Sequence, residues 1–159
     1  MTALTDDKPE LPIAVDDTET IVRALVTPAH FDKGKLKTAV FRPKAGESSI
    51  SVMRRLMGDN FCKNKGVEIG KGFYVGLLTI TARSIRTTGS SVTDSRDIWL
   101  GHADRDHGMV SAPANDPSTG DDFARMTTRC QELRKACKFY VDVAPAVAIW
   151  NGPPLKMVE

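Results

Sequence analysis

Apolar and polar residues follow one another in short strand-like runs over the first hundred positions, then change to a helical period. Residues 21–26 alternate as a strand and stop at Thr27 and Pro28. Residues 30–37 read as a turn, with Asp32 at the polar corner and Gly34 supplying a permissive φ. Residues 38–42 predict a second short strand closed by Pro43, and residues 49–54 a third. From Asp59 to Ile69 a short helix is expected, capped by Asp59, with Phe61 and Cys62 inward and Gly66 or Gly70 at its end. Residues 72–83 form the strongest strand, apolar on both faces from Phe73 to Leu78 and alternating afterwards. Within it, Gly76 marks a bulge or a close backbone approach. Residues 87–91 are a turn, and residues 98–100 the next strand.

Residues 111–120 are a loop by their Pro, Ser, Asn and Gly content. Then Phe123, Met126, Cys130, Leu133, Cys137 and Tyr140 recur at spacings of three and four, an apolar stripe along one helix face. Ser118, Thr119 or Asp121 can cap its start, and Asp121 and Asp122 suit the positive end of the dipole. The tail from residue 142 holds Pro145, Pro153 and Pro154 around 147–150, with room for one more short strand. The expected fold is α+β: a small, mostly antiparallel sheet packed by one long amphipathic helix near the C-terminus. Residues 21–159 form that single domain, and residues 1–20 an acidic, mobile N-terminal segment.

At 159 residues and 17.4 kDa, the chain can bury a core without covalent staples. Its three cysteines, an odd number, argue against a secreted disulfide framework. Cys130 and Cys137 lie seven positions apart on the expected helix, a rise of roughly 10 Å, beyond the reach of about 7 Å between disulfide-linked Cα atoms. A pairing of Cys62 with either stays open, and reduced thiols are the simpler reading. The first twenty residues lack the apolar segment of a secretory leader, and no apolar run approaches the ~20 residues that span a bilayer. A cytoplasmic location with no membrane partner is therefore expected.

The net charge of +2 is unevenly spread. Residues 1–20 carry six carboxylates against one lysine, and residues 21–86 carry thirteen cations against four carboxylates. Lys33, Lys35, Lys37, Arg42, Lys44, Arg54 and Arg55 crowd neighbouring short strands, a face suited to an acidic partner or to nucleic acid. A tail that folds back on its own body uses the same complementarity. Aromatic residues are few there, which disfavours base stacking.

Residues 96–108 concentrate the other candidate chemistry, with His102, Asp104, Asp106 and His107 inside six positions. This segment resembles the H-x-D-x-D-H variant of the metal signature of metallo-β-lactamase-fold hydrolases, which follows a strand and often precedes a glycine, here Gly108. The resemblance implies a divalent metal such as zinc or manganese, and metal-activated water. That fold takes further histidines downstream; none follows His107, and His30 alone precedes the motif. The same residues also suit a solvated loop in which Asp side chains cap turns and pair with Arg105. Cys62 lies near Lys63 and Lys65, but a small core cysteine is the commoner role. No nucleophile elbow, P-loop or dinucleotide fingerprint is present. The leading reading is a non-catalytic binding module or accessory subunit, without cofactor, that works with a larger protein partner. The alternative is a small metal-dependent hydrolase or nuclease using the His102 cluster.

Overall fold

The computed structural model describes residues 11–43, 47–106 and 120–155, with the last two residues of one strand and the first turn of one helix described by backbone alone. Its centre is strand β1 (Thr20–Val26), in which Ile21, Val22, Ala24 and Leu25 are all buried. Two buried faces require apolar residues at consecutive positions, and β1 has them. The other strands are β2 (Phe31–Asp32), β3 (Lys35–Leu36), β4 (Ser49–Arg54), β5 (Tyr74–Thr81), β6 (Ser91–Asp94), β7 (His102–Asp106) and β8 (Lys138–Val141). Six of them form one antiparallel sheet in the order β6-β7-β4-β1-β5-β8, and β2 and β3 pair as a separate hairpin. The helices are α1 (Asp59–Gly70), α2 (Ala82–Thr87) and α3 (Gly120–Ala136). No helix among the described residues is long and apolar enough to cross a membrane.

Both faces of the sheet are covered, each by a different layer. On one face Ile21, Ile50, Val52, Leu78, Ile80 and Ala103 meet Ile85 of α2 and Met126, Cys130 and Leu133 of α3. On the other, Val22, Ala24, Met53 and Leu77 meet Cys62 of α1, together with Trp150 and Leu155 of the tail. Each fully buried Leu or Ile contributes about 1.5–3 kcal/mol. Gly76 lies where β5 runs closest to β8: a Cβ there would collide with the Tyr140 carbonyl. All three cysteines are free.

The strands at 21–26 and 49–54, the helix from Asp59 and the strand before Arg83 stand where the hydrophobic pattern puts them. Residues 38–42 do not form a strand. Thr38–Phe41 is a 3-10 turn in which adjacent Val40 and Phe41 are both buried. Residues 98–100 are a turn with Ile98 and Leu100 exposed, and the strand starts at His102 instead. That polar stretch is held extended by ladders to β4 and β6 on both sides, so tertiary pairing overrides its weak propensity. The strand expected to run to Arg83 stops at Thr81, whose hydroxyl accepts the Ser84 N–H at 3.1 Å and starts α2. The C-terminal helix is shorter than the apolar stripe implied and ends at Ala136, so Tyr140 leaves the stripe and joins β8. Three helices, not one, cover the sheet, and residues 147–150 form no strand.

Residues 11–20 belong to the packed body, contrary to the expectation of a mobile segment through residue 20. Leu11 and Val15 are buried, and three arginines hold the backbone around them. Arg54 reaches the Pro12 and Ala14 carbonyls, Arg96 those of Leu11 and Pro12, and Arg86 that of Val15. Residues 1–10 lie outside the described residues.

Candidate functional site

Of the alternative ligand set His102, Asp104, Asp106 and His107, only His102 and Asp104 have described side chains. The alternation of β7 puts His102 and Asp104 on one sheet face. His102 is buried there, its Nδ1 sits 2.5 Å from Ser95 Oγ, and its ring meets Trp99 edge-on at 4.8 Å. Burial lowers its pKa, against the opposing carboxylates of Asp104, Asp97 and Asp94. Asp106 is described by backbone only, and His107 lies outside the described residues. No three His, Cys, Asp or Glu side chains among the described residues converge as metal ligands.

The seven basic candidates separate. Arg54 is fully buried; it bonds Glu19 at 2.6 and 2.7 Å and Asp94 at 2.8 Å. Asp94 is also held by Arg96, and although burial opposes ionisation, the hydrogen bonds from Arg96 and Arg54 bring its pKa down to about 2. Arg42 reaches across to Thr127 of α3 at 2.5 Å, and Arg55 pairs with Asp59 at 2.9 Å. Lys44 lies outside the described residues. Lys33, Lys35 and Lys37 alone are exposed, in and just after the β2–β3 hairpin, and among the described residues none of them forms an ion pair. Lys33 and Gly34 both have positive φ, 53° and 77°, the pattern of a two-residue type I′ turn.

Two further features surround that hairpin. The first is the edge strand β8, which ends the sheet beyond β5. Phe139, Val141 and Val143 are 42, 49 and 82% exposed at alternate positions, and the Phe139 ring lies 5.4 Å from Phe31 in the hairpin. The alternation of residues 139, 141 and 143 is present in the sequence but overlaps the helical spacing of Cys137 and Tyr140, which masks it. The second is a cleft of about 190 Å³ beside Arg23, His30, Ser51, Ile69 and Trp99. Its sequence signal was a single cation, Arg23, set in an otherwise apolar strand.

The C-terminal tail is anchored beneath α1 by a buried polar group. Asp142 accepts from Lys63 and from the Tyr74 hydroxyl at 2.5 Å, and takes the Ala144 N–H at 2.9 Å. Burial opposes its ionisation, yet these bonds from Lys63 and Tyr74 hold its pKa below the usual range. Fully enclosed, Lys63 and Asp142 act as a structural pin. Burial pushes the Cys62 thiol up to about 12, which disfavours the reactive thiolate at neutral pH. No family model, curated protein or solved structure matches the chain.

Proposed function

We propose that this chain is a non-catalytic binding module that docks an extended, acidic segment of a larger protein partner along the β8 edge. The carrying observation is the character of that edge. Sheet edges are usually protected by charge or coverage, whereas β8 shows Phe139 and Val141 in alternation, with Val143 continuing the spacing just beyond the strand. An added strand gains main-chain hydrogen bonds and places alternate side chains against that apolar row. Around it stand exposed Lys33, Lys35, Lys37 and Lys138, a cationic rim that steers an acidic segment and discriminates against basic ones. Nucleic acid would use the rim but gain little from the apolar row, so an acidic protein is favoured. Nothing specific favours the metal-dependent hydrolase, since the His102 ring is enclosed and its Nδ1 engaged.

The test is affinity capture with crosslink mapping, run on the wild type, on Phe139→Lys/Val141→Lys and on Lys33→Glu/Lys35→Glu/Lys37→Glu. The expected result is one stoichiometric partner whose acidic segment crosslinks to Lys138 and the hairpin. The edge variant should lose it at every salt concentration, and the hairpin variant should bind it more slowly, chiefly at low salt. A partner that survives both variants, or a homodimer formed through β8, overturns the proposal.

A further inference from the structure

The cleft beside Arg23 exists because β1 and β4 pair only briefly. Their ladder joins Ile21 to Arg54 and Val22 to Met53, after which the two strands separate. The Arg23 side chain enters the gap. Its Nε donates to the Val40 carbonyl at 2.6 Å and its Nη1 to the Ser51 carbonyl at 2.8 Å. A guanidinium carries five N–H groups, so three remain without an acceptor among the described residues. No carboxylate among them pairs with it either. Arg23 is only partly buried and lines the cleft, and with no counter-charge beside it burial pushes its pKa down to about 10. His30 forms a second polar wall. Burial, reinforced by the Arg23 charge, pushes its pKa down to about 4, so it is neutral at physiological pH. The remaining wall is apolar, with Ala24, Met53, Ile69 and Trp99.

We infer that this cleft is a binding site for a small organic anion, a carboxylate or phosphate monoester joined to an apolar body about the size of one ring. The head group would take the remaining Arg23 N–H groups, whose planar fork suits both kinds of anion. The body would lie against Met53, Ile69 and Trp99. The volume fits this class: an apolar cavity of ~150 Å³ accepts a benzene ring, and about 190 Å³ leaves room for a head group as well. A plain brace between the 3-10 turn and β4 would account for two of the Arg23 hydrogen bonds, but not for an open space beside its unused donors. The site goes beyond the docking reading and does not depend on it, because the β8 variants leave the cleft intact.

The experiment titrates the full chain with phenyl phosphate, benzoate, inorganic phosphate and benzyl alcohol by calorimetry. Phenyl phosphate or benzoate should bind at least tenfold more tightly than both benzyl alcohol, which lacks the charge, and inorganic phosphate, which lacks the body. Arg23→Gln should abolish that preference. Ile69 is 47% exposed at the rim, so its substitutions test the site without disturbing the core. Ile69→Glu should weaken anion binding at least tenfold, and Ile69→Lys should strengthen it. If Arg23→Gln fails to fold, the two Ile69 variants decide alone. Equal binding of benzyl alcohol and the anions, or indifference to the sign of charge at position 69, overturns the inference, as does the absence of any saturable binding.

Discussion

Arg54 and the hairpin lysines carry the same sign of charge and lie in the same basic stretch of sequence, yet they occupy opposite environments. Arg54 has no exposed surface and is surrounded by Glu19, Asp94 and the carbonyls of Pro12 and Ala14. Lys33, Lys35 and Lys37 stand in solvent, with no ion pair among the described residues. At Arg54 the charge is consumed in fastening residues 11–19 to the sheet. At the hairpin it remains available to a partner. Counting cations along a chain therefore overstates a basic surface unless each is checked against the carboxylates and carbonyls that fold against it.

The contrast breaks most sharply at Arg54. Arg54→Ala leaves Glu19 and Asp94 buried without their cation, and removing one member of such a network costs about 3–5 kcal/mol. Urea unfolding should show that loss. Proteolysis under native conditions should cut first within residues 11–19, whose Pro12 and Ala14 carbonyls lose their donor. A loss below about 1 kcal/mol would mean that the network is not a fastener.

Acid should reveal the same asymmetry. Burial opposes ionisation of Asp94, but Arg96 and Arg54 hold its pKa near 2, below the ordinary carboxylate value of 3.8. A depressed carboxylate contributes stability that is complete above its unfolded pKa and disappears as pH falls toward its folded one. Stability should therefore decline between about pH 4 and pH 2. Asp94→Asn should flatten that decline, while neutralising the hairpin lysines should leave its shape unchanged. Thermal melts across this window decide the matter; an unaltered slope in Asp94→Asn would remove the network from the acid response.

How legible these regions were in the sequence follows from what sets each of them. Residues 21–26 announced a strand, but their alternation suggested one buried face, whereas Ile21, Val22, Ala24 and Leu25 are buried on both. Met126, Cys130 and Leu133 likewise announced the helix that packs on the sheet. His102, Asp104 and Asp106 hid a strand, because their extended form comes from ladders to β4 and β6 rather than from their own propensities. For the same reason they read as a loop of metal ligands. The role of Arg54 depends on Glu19 and Asp94, 35 and 40 residues away, and no local pattern records such a pairing. Arg23 was visible as an odd residue in an apolar run, but the separation of β1 from β4 that gives it a cleft was not.

Reversing the exposed charges should barely touch the fold. Lys33→Glu/Lys35→Glu/Lys37→Glu removes no hydrogen bond or ion pair found among the described residues. Its effect on unfolding free energy should stay within about 0.5 kcal/mol per site, the usual range for such surface changes. A loss comparable to that of Arg54→Ala would show that the hairpin charges hold the structure together, and would end the distinction between the two groups.

The finest test lies at Lys33 alone. Its φ of 53° puts a long side chain in the left-handed region, followed by Gly34 at 77°. Asn-Gly is the pair such a turn prefers, since Asn tolerates positive φ better than Lys. Lys33→Asn should therefore stabilise the chain slightly, by about 0.5 kcal/mol or less, while removing one cation from the rim of the β8 edge. If the hairpin serves docking, the same variant should associate more slowly with its acidic partner at low salt, and the deficit should shrink near 0.15 M, where the Debye length is about 8 Å. Stability and association would then move in opposite directions, which marks a residue kept for its charge rather than for its turn. A variant that is more stable and associates at an unchanged rate would show that Lys33 contributes nothing to the docking surface, leaving Lys35 and Lys37 to account for any steering.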